Sequence, residues 1–227
     1  MTSISFQKYI NRFEPSEISN LHQNIGCNKS NHRKSFRLQK KKKKQKRQFI
    51  IGKYAYVSAG IIFYKIINGI VYYLIMKKTG NTRFIYEDLG GKISDCDECI
   101  EDIAAREASE ESNAVLVDRN LELIKTDKIL YNNALNNSIV YIKNIIEENN
   151  IKPILYPQMK YAVYLVPFPE ANIPIYEFGD IEIVHEEWSN SAIERTFGWY
   201  NEYELNNINI KDFNPRIRIL INDLINK

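Results

Sequence analysis

"GGKISDCDECIEDIAAREASEES", residues Gly90 to Ser112, joins a glycine pair to a segment crowded with carboxylates. Ile100, Ile103, Ala104 and Ala108 recur in it at helical spacing, which predicts an amphipathic helix. Asp95 with Glu98 three residues later has the form of a capping box and marks the expected helix start. Asn113 follows the last turn, and Asn is the best substitute for Gly in a left-handed helix cap. On this helix Glu107, Glu110 and Glu111 stand at i, i+3 and i+4 and share one face. Unpaired, they would weaken the helix by about 0.2–0.5 kcal/mol per pair.

The segments on either side of this helix set the fold class. Upstream, "YAYVSAGIIFYKI" and "IVYYLIMKK" are β-branched and aromatic, with Asn68-Gly69 between them, so they predict a β-hairpin. "TRFIYEDLGGK" reads as a third extended segment running into the glycine pair. Downstream, Leu135, Ile139, Ile142 and Ile146 predict a second helix within 127–150. "YAVYLVPF" (161–168) and "IPIYEF" (173–178) read as strands, and "GWYNEYEL" (198–205) as a strand entering a helical turn. Pro215 opens a last helix with Ile217, Leu220, Ile221 and Leu224 on one face. Strands before and after a central helix, with further helices later, give a mixed α/β or α+β core.

With 227 residues, 44% hydrophobic and 26% charged, the chain suits a globular domain plus an extension. No stretch approaches the roughly 18 uninterrupted apolar residues of a membrane span, and the start lacks the apolar core of a secretory signal. Three cysteines form no disulfide framework, so a reducing, intracellular compartment is expected. The net charge of +3 hides an asymmetry. Arg33 to Arg47 carry ten basic residues and no acid, which leaves the rest at −7. Residues 1–49 therefore read as a basic extension and 50–227 as the folded domain, with a helical insertion near 118–150.

Between Ile93 and Leu116 the only basic residue is Arg106. Within that stretch it cannot neutralise Glu98, Glu101, Glu107, Glu110 and Glu111 together. A solvated acidic face is the plain reading. The spacing favours a divalent cation, because Mg²⁺ and Mn²⁺ are hard ions that prefer carboxylate oxygens.

These residues also carry a resemblance. Glu98, seven residues, then Arg106-Glu107-Ala108-Ser109-Glu110-Glu111 with Ala114 resembles the Nudix box, G-x5-E-x7-R-E-U-x-E-E-x-G-U, where U is aliphatic. Gly90-Gly91-Lys92 is similar to its usual opening. Six residues instead of five separate Gly91 from Glu98, and Asn113 stands for the closing glycine. The resemblance extends to roughly 50–205 through the strand order and "GWYNEYEL". It implies the Nudix fold, a mixed sheet flanked by helices, and metal-dependent hydrolysis of a nucleoside diphosphate linked to another moiety. Glu107, Glu110 and Glu111 are then the Mg²⁺ or Mn²⁺ ligands, with a backbone carbonyl of Gly90 or Gly91. Glu98 and Arg106 form a salt bridge that holds the loop on the helix. A later carboxylate, with Glu194 as the candidate ahead of Glu186 and Glu187, serves as ligand or general base.

The box does not select a substrate. The basic run Lys40, Lys41, Lys42, Lys43, Lys44, Lys46 and Arg47 would attract a polyanion by counterion release, and Phe36 and Phe49 flank it for base stacking. Capped RNA is the expected substrate, cleaved within the polyphosphate bridge of its cap. Free nucleotide derivatives such as dinucleoside polyphosphates and nucleotide sugars are the alternative, and a catalytically inactive RNA-binding module is a second. The run also suits a nuclear address in an otherwise cytoplasmic protein or a solubilising tail. Trp199 and Tyr86 are candidates to stack on a base. Cys96-x-x-Cys99 has the spacing of half a zinc or redox motif but lacks a second pair, and His22, Cys27 and His32 match no common metal module. The abundance of Asn, Ile and Lys suits an AT-rich genome, such as that of a large DNA virus or a protist.

Overall fold

Alternating side chains along the central hairpin build two cores, one on each side of a sheet. The computed structural model describes residues 47–79, 85–112, 114, 128–168, 184–185 and 194–225. Ile61, Phe63, Leu74 and Met76 face one core, while Ile62, Tyr73 and Ile75 face the other, as the two-residue period of a strand requires. The strands are β3 (Ser58–Ile67) and β4 (Ile70–Thr79). Asn68 and Gly69 turn between them with φ of 51° and 79°, the left-handed pair that a two-residue hairpin demands.

Before this hairpin, β1 (Phe49–Ile51) and β2 (Tyr54–Tyr56) form a small ribbon of their own. After it come β5 (Tyr86–Glu87) and β6 (Leu89–Lys92). β3 and β4 pair through Tyr64↔Tyr73 to Ile67↔Ile70 and then diverge. β5 pairs with β4 at Met76↔Glu87, while β6 pairs with β3 from Ser58↔Lys92 to Ile61↔Leu89. Asp88, fully buried, therefore sits at a fork in the sheet. β7 (Ile154–Tyr156), β8 (Tyr161–Pro167), β9 (Val184–His185) and β10 (Glu194–Asn201) complete the order β7-β8-β3-β4-β10-β9. β8 runs parallel to β3 and the other neighbours are antiparallel.

Helices cover both faces. α1 (Ile100–Glu111) and α2 (Lys128–Glu148) lie on the Ile61–Phe63 side, and α4 (Pro215–Ile225) packs on the Ile62–Tyr73 side after a short α3 (Glu202–Asn206). The molecule is a mixed sheet flanked by helices, as expected. All four apolar positions expected on α4 are buried, and the Asn214 side chain accepts from the Arg216 N–H at 3.1 Å to cap it. The helix expected within 127–150 spans Lys128–Glu148. Ile142 and Ile146 are buried in the α1-side core, and Ser138 Oγ lies 2.8 Å from Ser109 Oγ of α1. Residues 173–178, expected to be a strand, lie outside the described residues.

The start of α1 differs from the expected box. Cys99 is the N-cap, and Asp102 accepts from the Cys99 N–H at 3.1 Å and the Glu98 N–H at 2.7 Å. Asp95 and Glu98 lie before the helix because Ser94–Asp97 forms a turn, closed by Asp97 N–H to Ser94 O at 3.3 Å. Asp102 also pairs with Lys143 of α2 at 2.6 Å. Burial raises its pKa, but Lys143 and the Glu98 amide outweigh this and hold it below the usual value. Asp102→Ala is therefore expected to cost about 1–2 kcal/mol, measured by urea denaturation. A carboxyl with a depressed folded pKa stabilises above its unfolded pKa, so the difference from wild type should close as pH falls below about 4. A constant difference down to pH 2 (about the lower limit for this titration) would refute this account.

Candidate active site

The acidic face of α1 lies over the fork, where two backbones approach closely. Gly60 and Gly90 oppose each other across β3 and β6. A Cβ on Gly90 would stand 2.6 Å from Gly60 Cα and 2.8 Å from Ala59 O, so no larger residue fits. At Gly91 the obstacle to a Cβ is the Glu107 carboxylate itself, which rests against the backbone there. The Gly90 N–H donates to Glu111 Oε2 at 2.7 Å. Both glycines of the pair thus serve as a seat for two of the three clustered glutamates.

Arg106 organises the loop before the helix, with a different partner from the one expected. Its Nε and Nη2 reach Asp97 Oδ1 and Oδ2 at 2.9 and 3.0 Å. Nη2 also donates to Lys92 O at 2.8 Å. Glu98 is exposed and gives its backbone N–H to Asp102. The expected Glu98–Arg106 salt bridge is therefore replaced by Asp97–Arg106, because Asp97 faces inward from the turn. Counting five residues from Gly91 reaches Asp97, which is the spacing the box calls for. That count was the available signal.

The remaining Arg106 nitrogen, Nη1, lies 2.9 Å from Glu107 Oε1 and 3.0 Å from Glu110 Oε2. Burial raises the Glu107 pKa, with a further push from Glu110, against the pull of Arg106 and Arg216. Glu110 is the most accessible of the three, with 45% of its side chain exposed. Glu111 is 10% exposed and lies 3.8 Å from Lys78 Nζ of β4.

Cations distant in sequence join this cluster. Lys78 Nζ is 3.0 Å from Glu87 Oε2. Arg216, from α4 on the far side of the sheet, reaches Asp88 Oδ1 with Nε at 2.8 Å and Glu87 Oε2 with Nη2 at 3.4 Å. The Tyr161 hydroxyl donates to the other Asp88 oxygen. Burial, then Asp88, pushes the Tyr161 pKa well up, so it remains a donor. Arg106 is thus not alone, as the local stretch suggested. Glu87, Asp88, Asp97, Glu107, Glu110 and Glu111 still outnumber Lys78, Arg106 and Arg216 six to three.

The carboxylates of this set are of the donor type that a divalent cation prefers, but their side chains are not drawn together around one point. The oxygens are hard carboxylates, Gly91 leaves room for one of them against the backbone, and the cluster keeps excess negative charge. Among the described residues, no three His, Cys, Asp or Glu side chains are gathered as a group that could hold a metal ion. Arg106 lies between Glu107 and Glu110, and Lys78 stands beside Glu111.

Other expected site residues stand apart. Glu194 pairs with Thr79 and His185 through its backbone at the start of β10. Its side chain, Glu186 and Glu187 lie outside the described residues, as do His22, Cys27, His32, Phe36 and Lys40 to Lys46. Arg47, expected to contact RNA, donates to Ser94 O and Asp95 O and lies 5.9 Å from the Phe49 ring. It anchors the end of the basic run to the loop before α1. Trp199 is covered by Lys65 Nζ, 4.0 Å from its ring centre, and by the edge of Phe168. Tyr86 packs on Phe213 and Tyr200 toward α4. Both rings are thus engaged by neighbouring side chains. Cys99 is the N-cap of α1, and burial pushes its thiol up to about 12, which disfavours the thiolate form.

No helix among the described residues is long and apolar enough to cross a membrane. No protein-family model matches the chain, and no solved structure does. The chain is similar to a protein of Acanthamoeba polyphaga mimivirus described as uncharacterized, with 29% identity over 196 residues that cover 71% of this chain and 62% of the relative. The chain thus spans less than two thirds of the length of that viral relative.

Proposed function

We propose that the protein is a metal-dependent hydrolase of the Nudix type that cleaves a phosphoanhydride bond in the cap of RNA, releasing a nucleoside diphosphate. The observation that carries this reading is the seating of Glu107 and Glu111 on the Gly90–Gly91 backbone, with Glu110 beside them and open to solvent. Mg²⁺ or Mn²⁺, when bound, would neutralise the diphosphate and acidify the attacking water. Glu107, Glu110 and Glu111 would hold the ion. Asp97 and Arg106 keep the glycine loop on the helix, and Asp88 with Arg216 fixes the strand that carries it. Water attacks one phosphorus, the anhydride P–O bond breaks, and each half leaves with a phosphate.

The Arg47 anchor supports RNA over a free nucleotide. It ties the last cation of the basic run to Ser94 and Asp95, in the loop before α1. An RNA bound at Arg47 would lie next to the loop that leads into the acidic helix.

The test is cap-labelled RNA with Mn²⁺ or Mg²⁺, comparing wild type with a full-length variant in which Lys40 to Lys44 and Lys46 are glutamine. Wild type should release labelled nucleoside diphosphate. The variant should be slower at physiological salt and recover at low salt, with the slope of log affinity against log salt reduced by as much as about 4. Turnover of free dinucleotides or nucleotide sugars but not of capped RNA would assign the protein to small nucleotides. RNA binding with no metal-dependent release of any nucleotide would make it a binding module.

A further inference from the structure

Lys78 extends the inward row of Leu74 and Met76 along β4 to the C-terminal end of α1. Only 12% of its side chain is exposed. Its ammonium stands 3.0 Å from Glu87 and 3.8 Å from Glu111. Glu87 already has a second cation in Arg216. Glu111 has one oxygen on the Gly90 N–H and the other facing Lys78. Burying an ammonium costs several kcal/mol unless carboxylates compensate it. An apolar residue continuing the Leu74–Met76 row would avoid that cost, and Arg216 would still serve Glu87. What the lysine adds is a positive charge at Glu111.

We propose that Lys78 is a positioning residue, the resident counter-ion of Glu111. It holds that carboxylate aimed when no divalent cation is present, and it must yield Glu111 Oε1 when one binds. The inference rests on reading Glu107, Glu110 and Glu111 as ligands. Its consequence is a site whose affinity for the ion is deliberately moderated, because an ammonium within a few ångströms opposes a second cation.

The experiment titrates Mn²⁺ into full-length, metal-free protein and follows the electron paramagnetic resonance signal of the free ion. It compares wild type, Lys78→Met, Lys78→Gln and Lys78→Arg, with near-ultraviolet circular dichroism as the check on folding. The two neutral variants should bind Mn²⁺ about tenfold more tightly or better, as loss of a nearby like charge requires. The arginine variant should return to wild-type affinity. Either neutral variant suffices if the other does not fold. Unchanged or weaker binding in a folded neutral variant, with wild type still binding, would overturn the role of Lys78 and leave the hydrolase reading intact. Absence of Mn²⁺ binding in wild type and in every variant would overturn both, and is a distinct result.

Discussion

Arg216→Met is expected to destabilise the protein by about 3–5 kcal/mol, the usual cost of stripping one partner from a buried ion pair. Asp88 is fully buried at the fork, and Arg216 Nε is its nearest cation at 2.8 Å. Burial opposes the charge on Arg216, but Asp88, Tyr161, Glu111 and Glu87 more than compensate and hold it firmly protonated. Without the guanidinium, Asp88 keeps the Tyr161 hydroxyl alone, and Glu87 keeps Lys78 alone. Arg216→Lys retains the charge but loses the fork that reaches both Glu87 and the Asp88 carbonyl at 3.4 Å, so it should cost less. Combining Arg216→Met with Asp88→Asn removes the stranded charge and should recover a large part of the loss, which appears as coupling in a double-mutant cycle. Urea denaturation of wild type, Arg216→Met, Arg216→Lys, Asp88→Asn and the double variant decides the point. A single Arg216→Met variant within about 1 kcal/mol of wild type, the range of an ordinary surface pair, would show that the network at the fork is not what holds α4 to the sheet.

Glu110→Gln and Glu111→Gln should separate activity from stability. On the proposed hydrolytic reading each removes a ligand worth several kcal/mol of transition-state charge stabilisation, so each should lower kcat by about two orders of magnitude or more. Their folding costs should differ. Glu110 is 45% exposed, with Arg106 at 3.0 Å as its ion-pair partner, and its substitution should change stability by no more than about 0.5 kcal/mol. Glu111 is buried, with the Gly90 N–H and Lys78 on its two oxygens. An amide there can still accept from Gly90 but cannot match the ammonium, so a cost of about 1–3 kcal/mol is expected. Folded Glu110→Gln protein with full metal-dependent turnover would remove Glu110 from the ligand set and sink the reading of the cluster.

The hairpin, α1 and α4 were legible because each is encoded by a local pattern. Runs of β-branched and aromatic residues marked the two strands, Asn68-Gly69 admitted the left-handed turn, and the i, i+3, i+4 stripes of α1 and α4 buried as expected. The choice between Asp97 and Glu98 was harder. Adjacent acids differ only in which way the turn at Ser94–Asp97 directs them, and a periodic argument cannot see a turn of that length. α2 was found as a helix, but its share in the core was not legible, since burial of Ile142 and Ile146 depends on where α1 offers its small Ala105 and Ser109 face.

The sequence by itself determined the central hairpin, α1, α4 and the three glutamates on one helical face, because neighbours along the chain share these geometries automatically. Only the tertiary structure decided what those glutamates meet. Lys78, Glu87, Asp88, Tyr161 and Arg216 come from β4, the β5–β6 fork, β8 and α4, with a sequence separation of up to 129 between hydrogen-bonded partners. Charges interact through space, and their burial sets how strongly. That distance and burial exist only once the strands have diverged and helices have closed over both faces.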